Sequence, residues 1–207
     1  MADQTARDTK LVQYLNEAYG KEKELETALQ AHIRMTTRPP YKKRLQDHLK
    51  ETKGHARVVK GRIKELGGKA DNTPAPGPVG DVASAATSVA NKAVSAAKGP
   101  LHAIRGTGEQ ETMLKNAKTE FWNEHEEIAN YTAIETFAES VGDQKTAKLA
   151  RDIRREEERM ARFLESQISA LAKGVAREQI PAAERRNGGS RPKPRAKPRS
   201  TRSSTKS

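Results

Sequence analysis

Glu22, Glu124 and Glu157 stand where the spacing of their neighbours calls for an apolar side chain. At about 100° per residue, Glu22 fills the gap in the line Leu11, Leu15, Ala18, Leu25 and Leu29. Glu157 is surrounded by Ile153, Met160 and Leu164, and Glu124 by Ala117, Phe121, Ile128 and Tyr131. Glu127 lies about 60° from Glu124 on the same side. A further segment places His48, Glu51 and His55 on one flank of the line Tyr41, Leu45, Leu49, Thr52, Ala56, Val59 and Ile63, because spacings of three, four and seven return to one side of a helix. Ionised carboxylates that converge in a core are strongly penalised unless cations neutralise them. The basic residues nearest in register, such as Lys21, Arg57 and Arg155, project mostly outward, which leaves a metal ion as the economical partner. Hard carboxylate oxygens with one or two imidazoles suit iron, with manganese as the second candidate. The expected ligands are Glu22, Glu51, His55, Glu124 and Glu157, together with Glu127 and His48.

Four helix-period stretches must position these groups. The first, over residues 8–36, stops before Pro39-Pro40, and the second runs from Tyr41 to Leu66 and closes at Gly67-Gly68. The third is carried by Leu114, Ala117, Phe121, Ile128, Tyr131 and Ala138 and ends at Gly142. The fourth, with Ala150, Ile153, Met160, Leu164, Ile168 and Leu171, fades by Gly174. Between the pairs, Asp71 to Pro78 is too rich in proline for regular structure, and residues 81–98 read equally as a thin helix or an Ala-rich linker. Two antiparallel pairs joined by such a connection describe an all-α, ferritin-like four-helix bundle over residues 8–174, with a long crossover at 69–108 between helices 2 and 3. In bundles of this kind a Glu from each of two helices and a Glu-x-x-His pair from each of the others hold two metal ions. Here the second helix offers His48-x-x-Glu51 with His55 four residues later, the fourth has no His, and Glu124-x-x-Glu127 supplies a carboxylate instead.

At these residues the chain resembles the YciF-like (YciE/YciF) ferritin-like stress proteins. The resemblance spans about residues 10–172 and rests on four segments: Tyr14-Leu15-Asn16-Glu17-Ala18-Tyr19-Gly20-Lys21-Glu22-Lys23-Glu24-Leu25, His48-Leu49-Lys50-Glu51-Thr52-Lys53-Gly54-His55, Glu124-His125-Glu126-Glu127-Ile128-Ala129-Asn130-Tyr131, and Glu156-Glu157. It implies a ferritin-like bundle, a homodimer, a di-iron centre and a role in stress response. Family members often carry an acidic residue four positions after the second Glu of helix 4, where this chain has Ala161.

The 207 residues hold 39 Lys and Arg against 27 Asp and Glu, a net charge of +12. Nine of those cations, Arg185, Arg186, Arg191, Lys193, Arg195, Lys197, Arg199, Arg202 and Lys206, fall in residues 185–207 without a single anion, so the body before them is nearly neutral. Alternating proline and cations predict a disordered basic tail, placed at 175–207, that offers its charge to DNA or another polyanion. No aromatic side chain is interleaved, so phosphate contact without base stacking is expected. The absence of cysteine excludes thiolate chemistry, zinc fingers and disulfide scaffolds. No membrane-length apolar run or secretory leader is visible, and the expected location is the cytoplasm, in association with the nucleoid. The expected function is Fe(II) oxidation or peroxide consumption at a di-iron centre in stress protection, with nonspecific DNA association. The alternative is a metal-free helical DNA-associated or scaffold protein.

Overall fold

A computed structural model describes residues 5–71 and 108–186. Four long helices form there: α1 (Ala6–Met35), α2 (Pro39–Glu65), α3 (Glu109–Ser140) and α4 (Gln144–Gln179), followed by the short α5 (Ala182–Arg186). Among the described residues there is no strand and no helix long and apolar enough to cross a membrane.

Local chemistry sets the helix ends. The Thr5 hydroxyl caps α1 by accepting from the Asp8 amide at 3.1 Å. Pro39 begins α2, where its missing N–H is no loss, so the Pro-Pro pair starts this helix after a short turn. Gly67 (φ +78°) and Gly142 (φ +75°) take the left-handed position after α2 and α3. The next amides, Gly68 and Asp143, bond back to Ile63 O at 2.9 Å and Ala138 O at 2.8 Å, closing each helix. Asp143 then caps α4, accepting from the Thr146 amide at 3.0 Å, and holds Arg62 of α2 at 2.6 Å.

The core has two apolar halves. One joins Leu11, Leu15 and Ala18 of α1 to Val59 and Ile63 of α2, Ile134 and Ala138 of α3, and Ala147, Ala150 and Ile153 of α4. The other joins Leu25 and Leu29, Tyr41 and Leu45, Met113 and Ala117, and Met160, Leu164 and Leu171. The start of α1 thus meets the ends of α2 and α3 and the start of α4. Helices α2 and α3 run parallel, and the chain leaving α2 must return along the whole bundle before α3 begins. This is the ferritin-like arrangement expected from the sequence. The thin helix considered at 81–98 lies outside the described residues.

Two expectations change. Helix α4 runs through Gly174 to Gln179, and α5 follows after Ile180 and Pro181, so residues 175–179 and 182–186, assigned above to the disordered tail, are helical. A helical glycine costs only about 1 kcal/mol, and the actual stop is Pro181, whose ring and missing N–H prevent continuation. On α3, Phe121 and Ile128 are only half buried, and the inward line is Met113, Asn116, Ala117, Glu120, Glu124, Glu127, Tyr131, Ile134 and Ala138.

Asp143→Ala removes the α4 cap and the carboxylate that holds Arg62, and should lower the unfolding free energy by about 2 kcal/mol. Urea titration of the two proteins measures it; equal midpoints would contradict this role for the capping aspartate.

Candidate metal centre

Between the two apolar halves lies a layer of buried polar side chains. Glu22, His48, Thr52, Glu124 and Glu157 are fully inaccessible, Glu127 is 1% exposed and His55 is 5% exposed. Each of the four long helices contributes from near its middle, where side chains of the other three close around it.

The two imidazoles organise the layer. His48 donates from Nε2 to Glu124 Oε1 at 3.0 Å, with Glu157 Oε2 3.7 Å from the same nitrogen. His55 Nδ1 lies 2.8 Å from Glu157 Oε1 and 3.4 Å from Glu22 Oε1, without the alignment of a hydrogen bond to either. Two three-residue ligand sets result, Glu22–His55–Glu157 and His48–Glu124–Glu157, and within each the ligand atoms lie within 4.8 Å of one another. Glu157 belongs to both and directs one oxygen to each. Glu127, one turn along α3 from Glu124, has no hydrogen bond to either oxygen.

The outer nitrogen of each ring is also held. His48 Nδ1 bonds Glu51 Oε2 at 3.0 Å, and Arg44 bonds that same oxygen at 2.9 Å. His55 Nε2 bonds Glu156 Oε2 at 2.9 Å. Each ring is therefore fixed with one nitrogen on a carboxylate near the surface and the other facing the centre, the arrangement that orients a histidine ligand and selects its tautomer. Tyr131 similarly donates to Glu22 Oε1 at 2.6 Å and fixes that carboxylate.

Protonation follows from the same geometry. Burial alone would lower both histidines, but Glu124 and Glu51 raise His48 to about 10, and Glu157 and Glu22 raise His55 to about 11. Burial lifts Glu127 well above the carboxylate range, and the charges of Glu22, Glu157 and Glu124 push it further. Burial likewise raises Glu124 and Glu22. Glu157 goes the other way, because the two imidazoles beside it overcome its burial. Without metal the layer is a cluster of shared protons with several orphaned oxygens. Hard divalent cations would satisfy those oxygens and displace the protons.

Of the residues singled out by sequence, Glu22, His48, His55, Glu124 and Glu157 converge, with Glu127 beside them. Glu51 stands outside both sets, about one-third exposed, between Arg44 and His48. Lys21 turns its ammonium to Glu126 at 2.7 Å, away from the layer. His125 is exposed and bonds the Phe121 carbonyl, and Trp122 is 73% exposed. Of the basic set, Arg185 donates to the Arg177 carbonyl at the end of α4; Arg191, Lys193, Arg195, Lys197, Arg199 and Arg202 lie outside the described residues, and for Arg186 only the backbone is described. Sequence reasoning missed Glu120 and the role of Glu156 against His55. Glu120 precedes Glu124 by one helical turn, so centring the α3 stripe on its carboxylates would have found it.

An antiparallel-hairpin bundle with a long return and a mid-height layer of carboxylates and imidazoles defines a ferritin-like protein with candidate metal ligands. The chain belongs to the family described as Domain of unknown function (DUF892), whose model matches residues 6–177. No curated protein matches it. Its fold is similar to that of a protein from Xanthomonas campestris pv. campestris, with 27% identity, 85% of this chain and 100% of that chain covered, and a TM-score of 0.62. The Escherichia coli stress protein YciF is 22% identical over 82% of this chain and 98% of its own, with a TM-score of 0.61. A Desulfovibrio desulfuricans bacterioferritin with a diiron site is 17% identical over 86% of both chains, with a TM-score of 0.59.

Glu127→Leu should stabilise the chelator-treated protein by about 1–4 kcal/mol, because an unbonded buried carboxylate is replaced by a packed apolar group. The pH dependence has a definite sign. A buried acid with a raised value binds its proton in the folded state, so stability falls as pH rises above the unfolded carboxylate value of about 4.3. His48 and His55 add to this: their contribution is complete below 6.5 and is lost as pH rises toward about 10 and 11. Glu157, held low, contributes in the other direction and is lost only in acid. The melting temperature of chelated protein should fall between neutral and alkaline pH, less steeply in the Glu127→Leu variant. A rising profile in that range would contradict the assignment.

Proposed function

We propose that the polar layer is a dinuclear metal centre, holding iron in preference to manganese, and that the protein oxidises Fe(II) or consumes peroxide in stress protection. The observation that carries this reading is Glu157, whose two oxygens face different ligand sets. Glu157 would be shared by two ions, one oxygen to each ligand set. His55 and Glu22 would complete one site and His48 and Glu124 the other, with the bare oxygens of Glu127 available to either. A bound iron pair would supply the capacity to change oxidation state while passing electrons to an oxidant. The chain's own part is to hold the ligands before metal arrives, to orient both rings through Glu51 and Glu156, and to exclude bulk water by the apolar halves above and below. Metal binding must release the protons held on the imidazoles and raised carboxylates, so affinity rises with pH.

Anaerobic loading with Fe(II), followed by metal analysis, should give two ions per chain. His48→Ala and His55→Ala should each lose one ion, whereas Glu157→Ala should lose both. Negligible iron and manganese in the wild-type protein, or two ions retained without Glu157, would end the proposal. Survival of the fold in each variant is checked by circular dichroism.

The basic end of the chain supports a second, independent activity. Nine cations without an anion in residues 185–207 suit duplex DNA by phosphate contact alone. If six phosphates are neutralised, the log–log salt slope of binding should be about −5. Titrating labelled DNA with the full chain and with a chain lacking residues 185–207 measures this. The truncation should abolish binding while leaving metal content unchanged, and equal affinities would refute it.

A further inference from the structure

A second group of buried polar atoms lies on the α1, α2 and α3 side of the centre, inside the apolar half that contains Leu29, Leu45, Met113 and Ala117. Its middle is Glu120, fully inaccessible, one helical turn before Glu124 on the same face of α3 and so about 6 Å along the axis. One Glu120 oxygen bonds His32 Nδ1 of α1, and the other has no partner. Asn116, one turn before Glu120, has an unbonded buried amide nitrogen, and the buried Tyr41 hydroxyl of α2 is also unbonded. Tyr41 is close enough to Glu120 for the carboxylate charge to add to burial in raising the phenol. His32 is the group's only connection outward among these four: its side chain is 13% exposed, whereas Tyr41, Asn116 and Glu120 are buried.

The physical problem is the carboxylate. A fully buried carboxyl group with one oxygen bare is penalised, and a Leu at this position would avoid that. Among the described residues Glu120 bonds only His32 and takes no part in either ligand set around Glu157. The centre itself is sealed: both ligand sets consist of buried residues. An ion bound for it must shed water and find oxygen or nitrogen donors on the way in. His32 and Glu120 are such donors, the first partly exposed and the second one helical turn from Glu124.

We propose that Glu120, with His32 at its outer side, is a transit site where a divalent cation is held between solvent and the dinuclear centre. The inference rests on the metal-centre reading above and goes beyond it by assigning a path. The unbonded Tyr41 hydroxyl supplies an uncharged oxygen beside the ion at this step. Glu120 accelerates loading by concentrating cations beside the centre and is not a permanent ligand.

The test is the rate of anaerobic Co(II) uptake by metal-free protein, followed through a fluorescent chelator that reports free Co(II), with final stoichiometry from metal analysis. Wild type, Glu120→Gln, His32→Ala and a surface control, Glu165→Gln, are compared. Glu120→Gln should load about tenfold or more slowly, and His32→Ala also slowly, while both reach wild-type stoichiometry and the control matches wild type. Equal rates in the Glu120→Gln variant would overturn the proposal and leave only a buried water bridging these atoms. A lower final stoichiometry in that variant would overturn it by making Glu120 a permanent ligand, and an equally slow control would reduce the effect to general surface charge. Failure of the wild-type protein itself to bind Co(II) would instead remove the metal centre, and the transit site with it.

Discussion

Charge in the middle of the bundle is the constraint on which the rest depends. Glu22, Glu124, Glu127 and Glu157 meet in a space sealed from water, against two imidazoles. Four carboxylates and two rings cannot all be ionised there without an excess of negative charge in a low-dielectric interior. The metal-free chain meets this by sharing protons, and the raised values of Glu22, Glu124 and Glu127 express it. The apolar clusters on either side supply the favourable burial that lets so unfavourable a layer persist.

Order in the layer comes from its rim. Glu51 and Glu156 are partly exposed, and each takes the outer nitrogen of a buried ring. The inner nitrogens are therefore turned to the candidate ligand carboxylates in one fixed orientation. Tyr131 does the same for Glu22. Such preorganisation shifts the cost of arranging the site from binding to folding.

Much of this was legible because helical periodicity exposes a polar residue in an apolar line. Glu22 and Glu157 are single interruptions of clean stripes, and their inward placement follows directly. On α3 the same logic is distorted: Phe121 and Ile128 draw the apparent stripe toward themselves, while the true buried line is mostly carboxylates and small residues. Hydrophobicity cannot locate a face whose inward residues are Glu120, Glu124 and Glu127. On α2, His48 and His55 share a flank with Glu51 by spacing, but seven residues turn the helix by slightly less than two revolutions, and the two side-chain torsions of each histidine let both rings reach inward while Glu51 stays at the rim. The continuation of α4 past Gly174 was hidden for a different reason, since a lone glycine reads as a stop, whereas here it is partly buried and gives room to the Gln110 side chain. Pairing across helices, such as Glu156 with His55, has no signature in a single sequence.

The hairpin architecture has a mechanical corollary. Helices α1 and α2, and α3 and α4, are each joined by a three-residue turn, and contact is most extensive within these two pairs. Both imidazoles belong to the first hairpin, whereas Glu124, Glu127 and Glu157 belong to the second. Every coordination sphere assembled here therefore straddles the seam between hairpins, so an ion would act as a rivet between two separately zippered halves. Chain cleavage between the hairpins would turn the molecule into two fragments whose association becomes second-order in concentration and would tighten with any ion held across the seam, the working principle of a split metal reporter.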